Sequence, residues 1–266
     1  LDFNLKPFLN GGMRFFIIST FLIFMTLPSF AENGVFDTSA ELIGRTTPLG
    51  LSLSGTAGYG WKLWGERKDQ NPWYGYIRPS LTGTLSSVLG ARASIDLYPV
   101  SFFGVTYGRT YNYRTMDLQG LDCNKSKCKG WLNGNFIRAR LLGKYQKLFG
   151  FIAYEKIFFD ARTDLQEPLG EEISVIYLSP RDEELTRATA TLGWALDEFW
   201  SVGVMGQDAR ALKSENKQDM HIAFARWNVD EWTYMAGAGR FSSTQYGIGP
   251  QIVLSVSWTG AKKIGP

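Results

Sequence analysis

Residues 49–63 read LGLSLSGTAGYGWKL. Extended, this segment puts Leu49, Leu51, Leu53, Gly55, Ala57, Tyr59, Trp61 and Leu63 on one face. The other face carries Gly50, Ser52, Ser54, Thr56, Gly58, Gly60 and Lys62, because successive side chains of a strand point to opposite sides. The alternation runs for 15 residues. Strands of soluble sheets average about five or six residues, whereas a strand tilted across a bilayer needs about 9–11. One greasy face and one small, polar face over this length describe a wall between lipid and a polar interior.

The same period-two pattern recurs along the chain. Trp131, Ile137, Ala139, Leu141 and Tyr145 oppose Arg138, Arg140, Lys144 and Gln146. Ala188, Ala190, Leu192, Trp194 and Leu196 oppose Arg187, Thr189, Thr191 and Gly193. Ile248, Ile252, Leu254, Val256 and Trp258 oppose Gln251, Ser255 and Ser257. Ten strands are expected, near 49–64, 73–97, 102–114, 131–146, 150–162, 184–196, 199–212, 218–228, 231–242 and 248–259. Long connections (65–72, 115–130, 163–183, 213–217, 243–247) alternate with short ones, as in barrels with long outer loops and tight inner turns. The fold class is all-β: a closed antiparallel transmembrane β-barrel of about ten strands, with 8 or 12 as alternatives. Residues 73–97 are kept as one long or bulged strand although Ser86-Ser87 has turn character, because the facing parity does not change across it. Glu155 and Lys156 fall on opposite faces of the fifth strand, and a bulge is expected there.

Composition narrows the functional classes. Charged residues are 20% and hydrophobic residues 44% of the 266-residue chain, which suits neither a disordered chain nor a polytopic helical membrane protein. A net charge of +3 argues against a nucleic-acid partner. A single His and two Cys leave little for a metal site, and no cofactor motif is present. Tryptophans fall at strand ends rather than mid-strand: Trp61, Trp64, Trp73 and Trp131 beside long loops, and Trp194, Trp200, Trp227, Trp232 and Trp258 beside short turns or the C-terminus. Indole favours the headgroup zone, so two aromatic girdles are expected, one per interface.

The N-terminal stretch reads as an export signal. Met13-Arg14 opens a short cationic region, Phe15–Leu27 is an apolar run of 13 residues, and Pro28-Ser29-Phe30-Ala31 supplies a break and a small-x-small cleavage site. The expected organisation is therefore residues 1–12 upstream of the true start, 13–31 a cleaved signal peptide, 32–48 a periplasmic tail or plug, and 49–266 the barrel.

With these features, the chain resembles the small, porin-like β-barrel proteins of the Gram-negative outer membrane, over roughly 49–258. The resemblance implies outer-membrane localisation, contact with outer-membrane lipid and lipopolysaccharide, and handling by the barrel assembly machinery. Such proteins end their last strand in an aromatic residue, a position that Trp258 matches; Thr259–Pro266 follow it, a departure from the pattern. Oligomeric state is not legible.

Three constellations carry candidate chemistry. Cys123 and Cys128, in LDCNKSKCKG, are expected to form a loop disulfide in an oxidising compartment. Asp219-Met220-His221 begins a strand; with Met220, Ile222 and Phe224 assigned to lipid, Asp219 and His221 face inward. Asp-x-His at a barrel rim resembles the omptin proteases, but their paired-Asp motif is missing, since no Asp-x-Asp occurs. A solvated His is the expected reading, with no catalytic residue and no enzyme. Inward positions carry Arg78, Arg92, Arg138, Arg140, Lys144, Lys156, Arg162 and Arg187 against Asp96 and Asp160. The function expected is a narrow, anion-favouring pore or a structural barrel. The alternatives are a surface interaction or adhesion protein acting through its outer loops, or a rim hydrolase using His221.

Overall fold

The structure, a computed structural model, describes residues 34–65, 72–117, 120–160, 167–171, 173–181 and 183–260. The expected signal peptide (13–31), the residues before it and Arg162 lie outside the described residues. The strands are β1 (Gly34–Thr46), β2 (Leu49–Trp64), β3 (Gly75–Leu85), β4 (Val88–Val100), β5 (Phe103–Arg114), β6 (Gly130–Tyr145), β7 (Leu148–Phe159), β8 (Leu169–Glu171), β9 (Ile176–Leu178), β10 (Glu184–Ala195), β11 (Trp200–Ala211), β12 (Lys217–Val229), β13 (Trp232–Ser243) and β14 (Gly247–Thr259). All but β8 and β9 form one closed antiparallel barrel, in the order β1-β14-β13-β12-β11-β10-β7-β6-β5-β4-β3-β2. Among the described residues the barrel thus has twelve strands, not about ten. Closure pairs the backbone groups that lipid cannot satisfy and leaves no open edge.

Two segments account for the extra strands. Gly34–Thr46, expected in a tail or plug, is barrel strand β1, paired with β14 from Ser39↔Thr259 to Arg45↔Val253. Its outward positions include Thr38, Ala40 and Gly44, so its contrast between faces is weak. The stretch 73–97 is a hairpin rather than one strand, turning at Ser86-Ser87, where the Ser86 hydroxyl accepts from Val88 N at 3.1 Å. Leu85 pairs with Leu89, and Thr84 with Gly90. Partners thus share parity, so facing parity is preserved through the turn and cannot reveal it. At Glu155-Lys156 no bulge forms: β7 pairs without interruption to β6 and β10.

The hairpin reverses the direction of everything before it. The 65–74 loop therefore lies at the end that holds the start of β1 and the end of β14, opposite the 115–129 and 160–183 loops. These two ends are called here the terminal end and the loop end. Trp61, Trp64, Trp73, Trp194, Trp200, Trp227, Trp232 and Trp258 all sit at the terminal end, and Trp131 alone sits at the loop end. The expected pair of tryptophan girdles is one tryptophan girdle, with Tyr111 and Tyr113 near Trp131 on the other side.

The outer wall is apolar. Leu49, Leu51, Ile95, Ile152, Val204, Ile248 and Leu254 are each more than half exposed, the inverse of a soluble protein. The interior carries the polar partners and a hairpin. Loop 160–183 contributes β8 and β9, whose Leu169, Ile176 and Leu178 pack against the inward Leu132, Phe136, Ile157, Phe159, Leu185, Ala209 and Ala211. All of these are buried. The interior element is this hairpin, whereas Gly34–Thr46 is part of the wall.

β12 faces opposite to expectation. Ile222 and Phe224 point inward, 2% and 7% exposed, while Asp219 and His221 lie on the outer wall. The parity is fixed at the terminal end, where outward Trp227 stacks on Trp200 (5.9 Å between centroids) and packs on Tyr234 (5.4 Å).

Candidate functional site: an arginine-lined lumen

The lumen concentrates guanidinium groups on β3, β4, β6 and β10. Arg78 donates from Nε and Nη2 to the two Asp37 carboxylate oxygens at 2.7 and 2.5 Å, and from Nη1 to Asp96 at 3.1 Å. Asp96 also accepts from Arg140 Nη2 (3.0 Å) and the Thr106 hydroxyl (2.6 Å). Arg140 reaches the Tyr98 hydroxyl at 3.3 Å, and Tyr98 stacks on Tyr76 at 4.4 Å. Such charge-assisted bonds fix the side chains across five strands.

A second cluster centres on Glu155, which accepts from Arg138 (2.6 Å), Arg187 (3.1 Å) and Arg92. The Arg92 guanidinium also lies 3.5 Å from the Phe136 ring centroid, a cation–π contact. Arg187 continues to Glu171 and to the Ser174 hydroxyl, both at 3.3 Å. Glu171 accepts the backbone N–H of Ile173 and Ser174, so this cluster clamps the hairpin to the wall. A cavity of about 40 Å³ remains there, bounded by Arg92, Asn112, Phe136, Glu171 and Arg187.

The two long loops are knitted together above it. Lys127 N donates to Pro168 O at 2.8 Å, and Gly170 N donates to Lys127 O. Buried Arg114 donates to the carbonyls of Gly130, Lys127 and Gly170. Cys123 and Cys128 are disulfide-bonded and close the loop that carries Lys127. In that exposed loop the Asn124 backbone N–H, bonded to the Asp122 carboxylate, holds its pKa below the usual range. On the far side, buried Glu183 accepts backbone N–H groups of Ser179, Lys213 and Ser214.

The expected lumen residues divide as follows. Arg78, Arg92, Arg138, Arg140 and Arg187 meet in the two clusters. Lys144 lies at the exposed terminal end of β6. Lys156 faces outward and pairs with Glu184 at 2.6 Å. Asp160, expected inward, bonds the outward-facing Arg109. The expectation lacks three acids: Asp37, in the segment read as a tail, Glu155, beside a Lys156 assigned inward, and Glu171, in the 163–183 loop. With them, the five clustered arginines face the four acids Asp37, Asp96, Glu155 and Glu171; Arg114 and Arg226, absent from the expectation, also point inward outside these clusters.

His221 Nε2 lies 3.8 Å from Asp219 Oδ2 on the outer wall, not at an inward rim. Of the expected girdle, Trp61, Trp73, Trp194, Trp200, Trp232 and Trp258 share one end, and Trp131 is at the other.

No protein-family model and no curated protein sequence matches the chain. Solved structures match it as folds. The COG4313 outer membrane channel from Pseudomonas putida F1 aligns over 88% of this chain and 100% of its own, at 10% identity and a TM-score of 0.49. The NanC porin aligns over 83% and 98%, at 8% identity and 0.46. The KdgM porin, solved in complex with disordered oligogalacturonate, aligns over 84% and 98%, at 9% identity and 0.42.

Proposed function

We propose that the protein is a narrow pore of the bacterial outer membrane that favours anions. An even-numbered closed barrel with an apolar outer wall and an aromatic girdle is the outer-membrane form of a spanning β protein. Trp258, outward at the end of β14, occupies the position expected to be read by the barrel assembly machinery.

One observation carries the anion preference. The lumen carboxylates are covered while three of the five clustered arginines are not: Asp37, Asp96 and Glu155 side chains are 0%, 4% and 4% exposed, against 24–28% for Arg92, Arg138 and Arg140, with Arg78 and Arg187 at 12% and 10%. Near-neutral by count within the two clusters, the lumen shows water its guanidinium faces. In a tube with low-dielectric walls, accessible charge of one sign raises the local concentration of counter-ions. The hairpin narrows the passage on the β6–β11 side, leaving the Ser- and Thr-lined β2–β4 side (Ser52, Ser54, Ser80, Thr82, Ser94) as the path.

The test is conductance of refolded protein in planar bilayers across a KCl gradient. Discrete steps are expected, with a reversal potential on the chloride side that moves towards zero when Arg138 and Arg140 become Gln. Cation preference overturns the selectivity. Silence under all conditions overturns the pore and favours a structural barrel. The alternative of a surface interaction protein is less well supported, because loops 115–129 and 160–183 bind each other and the lumen wall.

A further inference from the structure

The outer wall is lopsided. On five consecutive strands, β14 and β1–β4, no outward position of the described residues is charged. Every outward charged residue and His221 lie on β5–β13, towards the loop end. On β5–β10 these charges close on each other: Arg109 with Asp160, and Lys156 with Glu184.

On β11–β13 they do so only in part. Arg210 stands directly opposite Lys217, and His221 directly opposite Arg240. Between these basic pairs, Asp208 faces Asp219. Like charges in facing positions of an antiparallel pair destabilise it. The acids relieve only part of this: Asp208 bonds Arg210 at 2.9 Å, whereas Asp219 lies 3.6 Å from Arg240 and 3.8 Å from His221. Arg210, His221 and Arg240 side chains stay 64%, 66% and 56% exposed. Lys217 has no acidic partner among the described residues.

Height identifies what these groups meet. His221 lies six residues above Trp227 along β12, roughly 16 Å of height at about 3.4 Å per residue and a tilt of about 40°. Arg210 lies ten residues above Trp200 along β11, roughly 26 Å by the same conversion. The apolar band of such barrels is about 25 Å tall. The patch therefore spans the upper margin of that band, where a lipid's acyl chains give way to its headgroup.

We propose that Arg210, Lys217, His221 and Arg240 form a binding site for the phosphate groups of outer-leaflet lipopolysaccharide, on the lipid A headgroup. A phosphate placed between facing cations replaces their repulsion with charge-assisted hydrogen bonds. This rests on the outer-membrane orientation proposed above, with the loop end outside.

The test uses full-length barrel refolded in phosphatidylcholine vesicles that contain bis-phosphorylated lipid A. Control vesicles carry dephosphorylated lipid A, or phosphatidylglycerol at equal charge. Retained lipid is read by native mass spectrometry. The parent should retain bis-phosphorylated lipid A and neither control lipid. The R210Q/K217Q/R240Q variant should retain about tenfold less, a loss moderated by solvent screening of exposed charges. R109Q, on the far wall, should retain it like the parent. If the triple variant does not fold, R210Q and R240Q alone should each show about a threefold loss. Equal retention by parent and variant overturns the site, as does retention of phosphatidylglycerol to the same degree. A dimer that dissociates in the variant, with no lipid A held by the parent, assigns the patch to a second copy and also overturns it. None of these residues faces the lumen, so conductance in plain phosphatidylcholine tests the pore reading separately.

Discussion

Arg78 on β3 holds both carboxylate oxygens of Asp37 on β1, reaching across β2 inside the lumen. The crossing is feasible because β2 carries Gly58 beneath the guanidinium; a Cβ there would collide with Arg78 Nη2 and Cζ. Asp37 is fully buried. β1 is thereby tied to the barrel by its lumen face as well as by its ladder to β14.

Asp37→Ala leaves Arg78 with Asp96 alone, and removing one partner of a buried pair costs about 3–5 kcal/mol. Urea unfolding of the refolded barrel, followed by tryptophan fluorescence, should show a loss of that order. Gly58→Val should be comparably damaging, because its side chain would push the Arg78 guanidinium off Asp37 without removing either charge. A loss below about 1 kcal/mol for Asp37→Ala, the level of an exposed pair, would mean that the fork does not hold β1.

How much of this was legible depended on contrast between faces. β2 alternates an apolar face (Leu49, Leu51, Leu53, Ala57, Tyr59, Trp61, Leu63) with a small, polar one, so its facing is readable, while its direction, set by the hairpin at Ser86-Ser87, is not. β1 mixes Val35 and Ile43 with Asp37 and Glu41 on its inward face, and interrupts outward Phe36 and Leu42 with Thr38, Ala40 and Gly44. β12 shows the opposite difficulty. Its Ile222 and Phe224 are as apolar as any lipid-facing pair, but they fill a lumen whose β6–β11 side is packed with the hairpin. Periodicity reports that two faces differ, not which one meets lipid. Arg138 and Arg140 lie on the inward face of β6, where guanidinium meets acids rather than lipid. Their acid, Glu155, was ambiguous because its neighbour Lys156 is also charged, and only tertiary pairing with Glu184 shows how Lys156 is accommodated outside.

Topology follows from the Ser86-Ser87 turn. An epitope tag after Lys125, whose side chain is 80% exposed, should be detected on intact cells. Tags in the 65–74 loop and in the 196–199 turn should appear only after the outer membrane is permeabilised. Surface detection of the 65–74 tag together with the Lys125 tag would restore a single strand over 73–97 and remove the twelve-strand count.

Glu155 neutralises three guanidiniums at once. Glu155→Gln keeps the shape but leaves Arg92, Arg138 and Arg187 with one fewer negative charge among them. Stability should fall by about 3–5 kcal/mol, as for a broken buried pair, and chloride preference in the KCl gradient should rise. A fall in chloride preference would mean that the exposed guanidinium faces do not set selectivity.

The last prediction concerns the hairpin and its tether. β8–β9 is held by apolar packing of Leu169, Ile176 and Leu178, by the Arg187–Glu171 pair, and by the Lys127 backbone bonds to Pro168 and Gly170. The disulfide closes the Cys123–Cys128 segment around Lys127 and joins two loop residues rather than two barrel strands. Non-reduced protein should therefore show no free thiol by mass analysis, and Cys123→Ser with Cys128→Ser should leave barrel stability nearly unchanged. Deleting 169–178 removes the packing itself. That variant should still fold, because the twelve-strand ladder does not pass through the hairpin, and its single-channel conductance should exceed the parent's several-fold. The double Cys variant should lie between the two, with more frequent transitions, because its hairpin keeps the apolar contacts and loses only a constraint on their tether. Identical conductance in the parent and the hairpin deletion would show that ions pass by a route the hairpin does not narrow.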